Sequence, residues 1–421
     1  MPSGSALRVS PRHETLELQS APAPERPLTN IRPLTILIVV PTLQAGAADM
    51  GVVDLVRILT RAGHRPIVLS RGGRLDAEIT SAGGEFIFAD MASKNPVIML
   101  RNAITIARVA RQRGCDIIHA HGRAPAWSAF FAARMTGVPF LTTWYKGFRE
   151  QNLLKRLYNS VMVRGDRVIA VSDQIAELIN ERYGISWNRI SVVPTGVDLD
   201  HFDPRSVSAE RTDAVRRLWG VSADAKIILV VGRMLRRKGH HLVVQAVRRL
   251  KDMGLKDFVC VFAGEDQGHS RYTGEVWDLV LATQTSDVVR MNGPVDDLPA
   301  AYAAASVVVS AATQPEGLQR AILEAQAMAR PVVVSDLGAG HDVVLAPPAV
   351  PEDRMTGLRF STGDAGALAA ALIRLFTLPD LARKAMGARG REWMIGHFTA
   401  PAVTELTLKL YSEVARARKG A

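Results

Sequence analysis

The sequence predicts an α/β protein of two Rossmann-like, doubly wound domains that face each other across a cleft. The first observation is an alternation of short apolar runs, typical of buried parallel strands, with segments of helical periodicity. The second is that this alternation starts twice, at LTILIVV (residues 34–40) and at KIILVVG (residues 226–232). The third is the length, because 421 residues suffice for two domains.

The first half predicts strands joined by helices. Strands are expected at residues 34–40, 67–69, 85–88 and 116–121. Helices are expected at about residues 51–62 and 96–113, and helical spacing in the second predicts five buried side chains: Met99, Leu100, Ala103, Ala107 and Ala110. ISVVPTGVDLDHFDP (residues 190–204) follows a strand and is rich in Pro, Gly and Asp, which indicates a linker. We therefore predict one domain over residues 33–205.

From the second half of the sequence we predict a domain over residues 206–396 and a final helix within residues 397–421. Strands are expected at 226–232 and 258–264, and helices at about 365–377, 379–395 and 400–417. Between them, PEGLQRAILEAQAMARPVVVSD (residues 315–336) predicts a turn, a helix that Pro331 ends, and a short buried strand.

Composition excludes several classes of protein. Hydrophobic residues make up 48% and charged residues 22% of the chain, as in globular proteins. No apolar run reaches the ~20 residues of a membrane helix. Residues 1–32 are rich in Pro, Ser, Arg and Glu and have no apolar core, so we predict a disordered tail rather than a signal peptide. Cys115 and Cys260 alone form neither a disulfide framework nor a metal cluster, which favours a reducing cytoplasm.

The net charge of +11 indicates an anionic partner, either nucleic acid, a membrane surface or an anionic substrate. Nucleic acid is disfavoured because the sequence has no zinc-finger spacing, RNA-binding aromatic motif or basic zipper. Basic residues cluster in the first half, at Arg101, Arg108 and Arg111 and again at Lys146, Arg149, Lys155, Arg156 and Arg164. These clusters are either solvated charge or a contact to an anionic membrane or acceptor.

Two motifs of the second half suit a sugar joined to a nucleoside diphosphate. Arg233 and Lys238 lie between a strand end and a helix start, where an arginine fork and a lysine point charge neutralise a diphosphate. Glu316 lies in the turn before the next helix, and Glu324 lies about two turns along it. A carboxylate accepts two hydrogen bonds from a ribose diol or from sugar hydroxyls, and free N–H groups at the helix start suit a phosphate. Each motif alone also fits a solvated loop or an ordinary surface helix.

His119 and His121 lie two residues apart at a strand end, so their side chains are expected on the same side. A zinc site would need a third ligand, which the spacing does not suggest. One of the two is therefore expected to be a buried structural histidine. In the turn after the first strand, Gly46 is either a simple turn residue or brings the backbone close to a phosphate or acceptor.

From about Pro33 to the C-terminus, the chain resembles the family 4 glycosyltransferases. The resemblance rests on Glu316 and Glu324 with seven residues between them, on Gly-Arg and Lys-Gly at 232–239, and on the blocks at 121–140 and 157–173. It implies a GT-B fold, retention of the anomeric configuration, a role for His121 facing the transferred sugar, and a last helix that crosses back to the first domain. Two positions depart from the family pattern: Gly46-Ala47 replaces a Gly-Gly pair, and Tyr145 stands where many relatives have a histidine.

We therefore predict a hexosyltransferase-like enzyme that moves a sugar from a nucleotide sugar to a glycolipid or saccharide acceptor of the cell envelope, such as a lipopolysaccharide precursor. The catalytic residues are His121, Glu316, Arg233 and Lys238, and the donor-binding residues are Gly46, Arg233, Lys238, Glu316, Gly317, Leu318 and Glu324. No metal or cofactor is expected, because the cations neutralise the leaving group. The segment at 290–305 would line the base mostly through backbone.

Two alternatives stay open, and a third class of enzyme is disfavoured. A nucleotide-sugar epimerase would turn over the donor without an acceptor, and a non-catalytic binding protein would bind it without turnover. A nicotinamide oxidoreductase is disfavoured because LGAGHD (residues 337–342) lacks the third glycine of the dinucleotide fingerprint. The predicted location is the cytoplasm, including the inner face of the membrane.

Overall fold

The computed structural model describes residues 32–44, 47–145, 147, 152–266, 268, 270–314, 317–337 and 340–417. The predicted tail lies outside these residues except for Arg32, and so do two predicted site residues, Gly46 and Glu316.

Strands and helices alternate through the first half of the chain. The strands are β1 (Thr35–Val39), β2 (Arg65–Ser70), β3 (Glu85–Phe88), β4 (Ile117–Ala120), β5 (Phe140–Trp144), β6 (Arg167–Ala170) and β7 (Ile190–Val192). The helices are α1 (Ala47–Arg61), α2 (Asp76–Ser81), α3 (Pro96–Gln112), α4 (Arg123–Thr136), α5 (Leu153–Asn159) and α6 (Asp173–Tyr183). Short 3-10 turns lie at Ser160–Val163 and Trp187–Arg189.

The second half repeats the alternation and ends in helices. Its strands are β8 (Lys226–Val231), β9 (Phe258–Ala263), β10 (Val289–Met291), β11 (Val307–Ser310), β12 (Val332–Ser335) and β13 (Gly357–Phe360). Its helices are α7 (Ala209–Leu218), α8 (His240–Asp252), α9 (Ser270–Ala282), α10 (Leu298–Ala304), α11 (Arg320–Ala327), α12 (Gly340–Val343), α13 (Ala365–Thr377), α14 (Asp380–His397) and α15 (Ala400–Ala417). Further 3-10 turns lie at Pro204–Ser206, Arg236–Lys238 and Glu352–Arg354.

Two parallel sheets confirm the predicted fold class. Within the described residues, the first sheet has the order β3-β2-β1-β4-β5-β6-β7 and the second the order β10-β9-β8-β11-β12-β13. Strand order reverses between β1 and β4 in the first sheet and between β8 and β11 in the second. In open parallel sheets, ligands bind outside the carboxyl ends of the strands at such a reversal. The loops after these four strands are therefore where a site is expected.

Each sheet is buried between helices. All five residues of β1 and all six of β9 are buried, which is the reason that their sequences are continuous apolar runs rather than alternating ones. Cys115 and Cys260 are both buried as free thiols. Among the described residues no single helix is long and apolar enough to span a membrane, whereas α13 and α14, bent by 112°, pass that test as a pair.

Helix α3 corrects one prediction and supports others. Ala103, Ala107 and Ala110 are buried as predicted, but Leu100 is 60% exposed, so its predicted burial is wrong. The helix has two apolar stripes, and the alanine stripe is the buried one because small side chains let α3 pack closely against the buried alanines of α4. Helix α11 also ends earlier than expected, at Ala327, and Ala329 has a positive φ of 53° before Pro331.

The linker and the last helix bring the two halves together. Val197 of the linker pairs with Thr399, just before α15, and its N–H donates to the carbonyl oxygen of Phe398 at 2.8 Å. Further along α15, the Tyr411 hydroxyl lies 2.6 Å from His119 Nδ1 at the end of β4. The domain limits near residues 205 and 396 stay a prediction.

Candidate functional site

The loop after β8 holds a group of cations at the strand reversal of the second sheet. Gly232 follows the strand, Arg233 is next, and a 3-10 turn carries Arg237 and Lys238 to the start of α8. Gly239 has a φ of 74°, and a Cβ built there would lie 1.8 Å from the carbonyl oxygen of Ala311. Only glycine fits, and its absence of a side chain lets the cation loop lie against the residues that follow β11.

These cations raise the local positive potential. Burial, together with the nearby Arg237 and Arg233, lowers the pKa of Lys238 to about 8. Burial and Arg233 likewise lower the pKa of Arg237. The N–H of Thr313 donates to the carbonyl oxygen of Arg237 at 2.8 Å, which fixes the loop against the segment that leads to α11. The arrangement suits a bound polyanion, which would relieve the repulsion among the cations.

Glu324 lies on the second turn of α11 and is 7% exposed. Its Oε2 accepts a hydrogen bond of 2.8 Å from the hydroxyl of Tyr302, and its Oε1 lies 3.5 Å from Arg320 Nε. Tyr302 on α10 is fully buried, so water does not compete for its hydroxyl, and the hydroxyl orients the carboxylate. A carboxylate has roughly four acceptor positions, so Oε1 and one lone pair of Oε2 can accept from a vicinal diol.

Arg320 connects α11 with the first half of the chain. Its Nη1 lies 3.6 Å from Oδ2 of Asp54 on α1. Burial raises the pKa of Asp54, although Arg320 and Arg57 both favour its ionised form. The side chain of Arg320 therefore bridges Glu324, on the second sheet's helix, and α1, on the first sheet's helix.

His121 follows β4 at the strand reversal of the first sheet. Its backbone N–H donates to the carbonyl oxygen of Val39 at 2.8 Å, and its Nδ1 lies 2.8 Å from the hydroxyl of Tyr145. Burial lowers the pKa of His121 to about 3, so its ring is neutral near pH 7. His119 packs beside it with ring centroids 4.2 Å apart, and bonds to Tyr411 and to Thr143 at 2.8 Å.

A cavity of about 780 Å³ borders His121. Its walls are α1, the ends of β4, β5 and β6, the linker at 193–200, α15 as far as Tyr411, and Arg320 of α11. Arg233, Lys238 and Glu324 do not line it, so they form a separate part of the site, with Arg320 between the two.

The described residues thus place the predicted positions in two groups. Arg233 and Lys238 lie after β8, Gly317 and Leu318 lie before α11, and Glu324 lies within α11. His121 lies after β4 of the first sheet, and Gly46 and Glu316 fall outside the described residues. In the described part of the chain, no three His, Cys, Asp or Glu side chains form a group that could hold a metal ion.

Sequence reasoning missed four contributors to this site. Tyr302 is the single aromatic residue in the run AAYAAA, a signal that predicts one anchored side chain among alanines. Tyr145 was noted only as a departure from the family pattern, and Asp54 and Arg320 have no comparable signal, because the contact between them joins positions far apart in sequence.

Two family profiles match the chain, one for each half. The profile described as Glycosyltransferase Family 4 matches residues 48–201, and the one described as Glycosyl transferases group 1 matches residues 225–377.

Curated relatives and solved structures agree with these profiles. The D-inositol 3-phosphate glycosyltransferase of Actinosynnema mirum is 30% identical over 301 residues, which cover 66% of this chain and 69% of that protein. With three other relatives of that name, the chain spans only 55%, 64% and 59% of their lengths. The crystal structure of a glycosyltransferase from Rickettsia africae is 30% identical with a TM-score of 0.82, covering 91% of this chain and 99% of that one.

A more distant structure shares the fold. An Anabaena protein crystallised with UDP-glucose is 17% identical with a TM-score of 0.76, covering 90% of this chain and 100% of that one.

Proposed function

We propose that this chain, which belongs to the family 4 glycosyltransferases, transfers a sugar from a nucleotide-sugar donor to an acceptor hydroxyl. Its fold is GT-B, and each of its two sheets has a strand reversal where a ligand can bind. Following the family, we propose that the sugar keeps its anomeric configuration.

The observation that carries the proposal is the cation loop with exposed Arg233 and half-buried Arg237 and Lys238, packed against the segment that leads to Glu324. The leaving group of a nucleotide sugar is a nucleoside diphosphate, whose negative charge grows as the glycosidic bond breaks. Cations held in place before the reaction stabilise that charge without reorganisation. Arg233 and Lys238 would bind the diphosphate, and the turn at Gly317 and Leu318 would present backbone N–H groups to it.

The remaining donor contacts follow from the positions of the two glutamates. Glu324, oriented by Tyr302, would accept from the ribose hydroxyls. Glu316 would accept from hydroxyls of the sugar, as the sequence predicts. His121 would contact a sugar hydroxyl from the opposite side of the cleft, and the cavity beside it is the proposed acceptor site. No metal or further cofactor takes part in this scheme.

A thermal-shift screen against UDP-, GDP- and ADP-sugars tests donor binding first. A nucleotide sugar at 100 times its dissociation constant should stabilise the protein by about 2.7 kcal/mol. Nucleoside diphosphate release is then followed with saccharide and glycolipid acceptors. Release that depends on an acceptor supports transfer. Conversion of the nucleotide sugar without an acceptor would indicate an epimerase, and binding without turnover would indicate a binding protein.

We also propose that the first domain binds anionic membranes, which fits a glycolipid acceptor of the cell envelope and a cytoplasmic protein at the inner membrane face. Helix α5 exposes Leu153, Leu154 and Leu157 by 81%, 78% and 56%. Lys155 and Arg156 lie among them and are exposed. Leucines flanked by cations suit an interface between lipid tails and anionic headgroups.

Helix α3 extends this surface. Val97, Leu100 and Ile104 are exposed beside Arg101 and Arg108. Helix α4 lies between α3 and α5, since Ser128 donates to the carbonyl oxygen of Met99 and Trp127 donates to that of Tyr158. The exposed apolar and basic residues therefore belong to helices that both neighbour α4.

Co-sedimentation with phosphatidylglycerol vesicles tests the membrane proposal. Each Lys or Arg near an anionic surface adds about 1 kcal/mol, screened by salt. Binding should fall when Leu153, Leu154 and Leu157 become Ser, and when Arg101, Arg108, Lys155 and Arg156 become Ser. The control is Leu381→Ser, because Leu381 is 80% exposed in the second domain. No binding of the wild type at low salt would contradict the proposal.

A further inference from the structure

Tyr145 makes a contact with each of three elements that border the cleft. It follows β5, and its hydroxyl lies 2.8 Å from His121 Nδ1. Its ring packs against that of His121 with centroids 5.6 Å apart. His121 is 1% exposed, and within the described part of the chain no group bonds to its Nε2. His121 lines the cavity, and one of its ring nitrogens lies next to Tyr145 while the other has no bonding partner among the described residues.

Gly51 shows that the position of the tyrosine ring is closely fitted. A Cβ built on Gly51 would lie 2.7 Å from both Cε1 and Oη of Tyr145. Gly51 lies inside α1, where glycine costs roughly 1 kcal/mol relative to alanine. The close approach of the phenol ring gives a physical reason for glycine at this helical position.

Gly317 forms the third contact, from the second domain. A Cβ there would lie 1.8 Å from the carbonyl oxygen of Tyr145 and 3.4 Å from Cγ2 of Val171. The turn before α11 therefore rests on the tyrosine backbone. Tyr145, which contacts His121, therefore also contacts the turn that is proposed to bind the donor.

We propose that Tyr145 is a positioning residue, which holds His121 as the Nε2–H tautomer with Nε2 directed into the cleft, in the arrangement where Gly317 meets the first domain. The role assigned to His121 rests on the proposed function. Burial raises the pKa of the Tyr145 hydroxyl above its ordinary value, so the phenol keeps its proton. The phenol donates to Nδ1, the imidazole proton resides on Nε2, and Nε2–H donates to an oxygen of the substrate.

Nitrogen-15 NMR of the histidine side chains tests this tautomer without any substrate. The wild type should show His121 protonated at Nε2 alone, and Tyr145→Phe should shift it toward a mixture of the two tautomers. Tyr411→Phe is the matched control, because it removes the same kind of bond from His119 and should leave the tautomer of His121 unchanged. If His121 is protonated at Nδ1 in the wild type, or if Tyr145→Phe leaves its signals unchanged, the proposal is overturned.

Kinetics and binding give the second readout. Tyr145→Phe should leave the affinities for UDP, GDP and ADP within about twofold of wild type, since the phenol is not proposed to touch the diphosphate or ribose. It should lower the kcat for the nucleotide sugar that the protein consumes by about two- to tenfold, the effect of one hydrogen bond. Gly51→Ala should displace the ring of Tyr145, so it too should lower kcat and leave the nucleotide affinities near those of the wild type. This second variant keeps the test open if Tyr145→Phe folds poorly.

The positioning of His121 and the proposed sugar transfer can fail separately. If the His121 tautomer depends on Tyr145 but the protein transfers no sugar, the positioning of His121 is supported and the proposed function is wrong. If the protein transfers sugar but neither the His121 tautomer nor kcat responds to Tyr145→Phe, the proposed function stands and the positioning of His121 is overturned.

Discussion

Replacing Glu324 by Ala should weaken nucleotide binding and destabilise the fold by two separable routes. The carboxylate is proposed to accept two ribose hydrogen bonds, and hydrogen bonds to a charged group contribute about 1.5–3 kcal/mol. Affinity for the nucleoside diphosphate and for the nucleotide sugar should therefore fall by about one to two decades. Separately, the hydroxyl of Tyr302 is fully buried and loses its 2.8 Å acceptor. An unpaired buried hydroxyl costs about 1–3 kcal/mol of stability.

A second substitution separates these routes. Tyr302→Phe in the Glu324→Ala background removes the unpaired hydroxyl, so it should recover much of the stability and none of the affinity. Tyr302→Phe alone should retain most of the affinity, because the carboxylate remains. Glu352→Ala is a matched control, since Glu352 is an exposed carboxylate in the same domain whose partner is Arg374. It should change neither quantity appreciably.

Calorimetric titration with UDP, GDP and ADP and with their glucose conjugates provides the measurement, with thermal unfolding measured in parallel. Glu316→Ala provides the contrast, because Glu316 is proposed to contact only the sugar. It should leave nucleoside diphosphate affinity nearly intact while sugar transfer falls. Wild-type nucleotide affinity in Glu324→Ala, or an equal loss of bare diphosphate in Glu316→Ala, would show that the donor does not lie along α11 as proposed.

Three further outcomes are expected. Lys238 loses its proton as pH rises through about 8 in the free protein, and a bound diphosphate favours the charged form, so UDP affinity should fall by up to about tenfold per pH unit above that value. Lys238→Arg should abolish this dependence, and an affinity of the wild type that is constant to about pH 9.5 would contradict the assignment. Burial and Asp173 raise the pKa of Asp342 to about 7. Its folded pKa exceeds the unfolded value of about 3.9, so stability is lost as pH rises through about 7, and Asp342→Asn should raise the Tm at pH 8; a lower Tm would be inconsistent. Chelator should leave the transfer rate unchanged, whereas a large loss restored by manganese or magnesium would refute metal independence.

The sequence predicted the sheets because their strands carry their own signal. A strand such as β9 that is buried on both faces must be apolar throughout, whatever its neighbours are. The glycines and cations of the loop after β8 could likewise be recognised in the sequence, since a tight strand-to-helix turn restricts which residues fit. Helix α3 shows where such reasoning stops. It has an alanine stripe and a second stripe containing Val97, Leu100 and Ile104, and only the packing of α4 decides which one is buried.

The side-chain pairs of the site are not local and could not be predicted. Tyr145 meets His121 across 24 residues, Tyr302 meets Glu324 across 22, and Tyr411 meets His119 across 292. Periodicity describes which face of an element is buried but does not describe which distant side chain lies opposite it. The residues and their positions indicated the two glutamates, and the resemblance to a family added the role of His121, whereas the contacts of the tyrosines that orient His121 and Glu324 are seen only in the structure.

The crystal structure of the protein with its nucleoside diphosphate, chosen by titration of UDP, GDP and ADP, tests the central claim most directly. We expect the diphosphate oxygens within about 3 Å of the Arg233 guanidinium and of Lys238 Nζ, and the ribose hydroxyls at the same distance from Glu324. The β-phosphate should point toward His121 across the cleft. A nucleotide bound at the first sheet's strand reversal, or bound at the second with its ribose away from Glu324, would contradict the account.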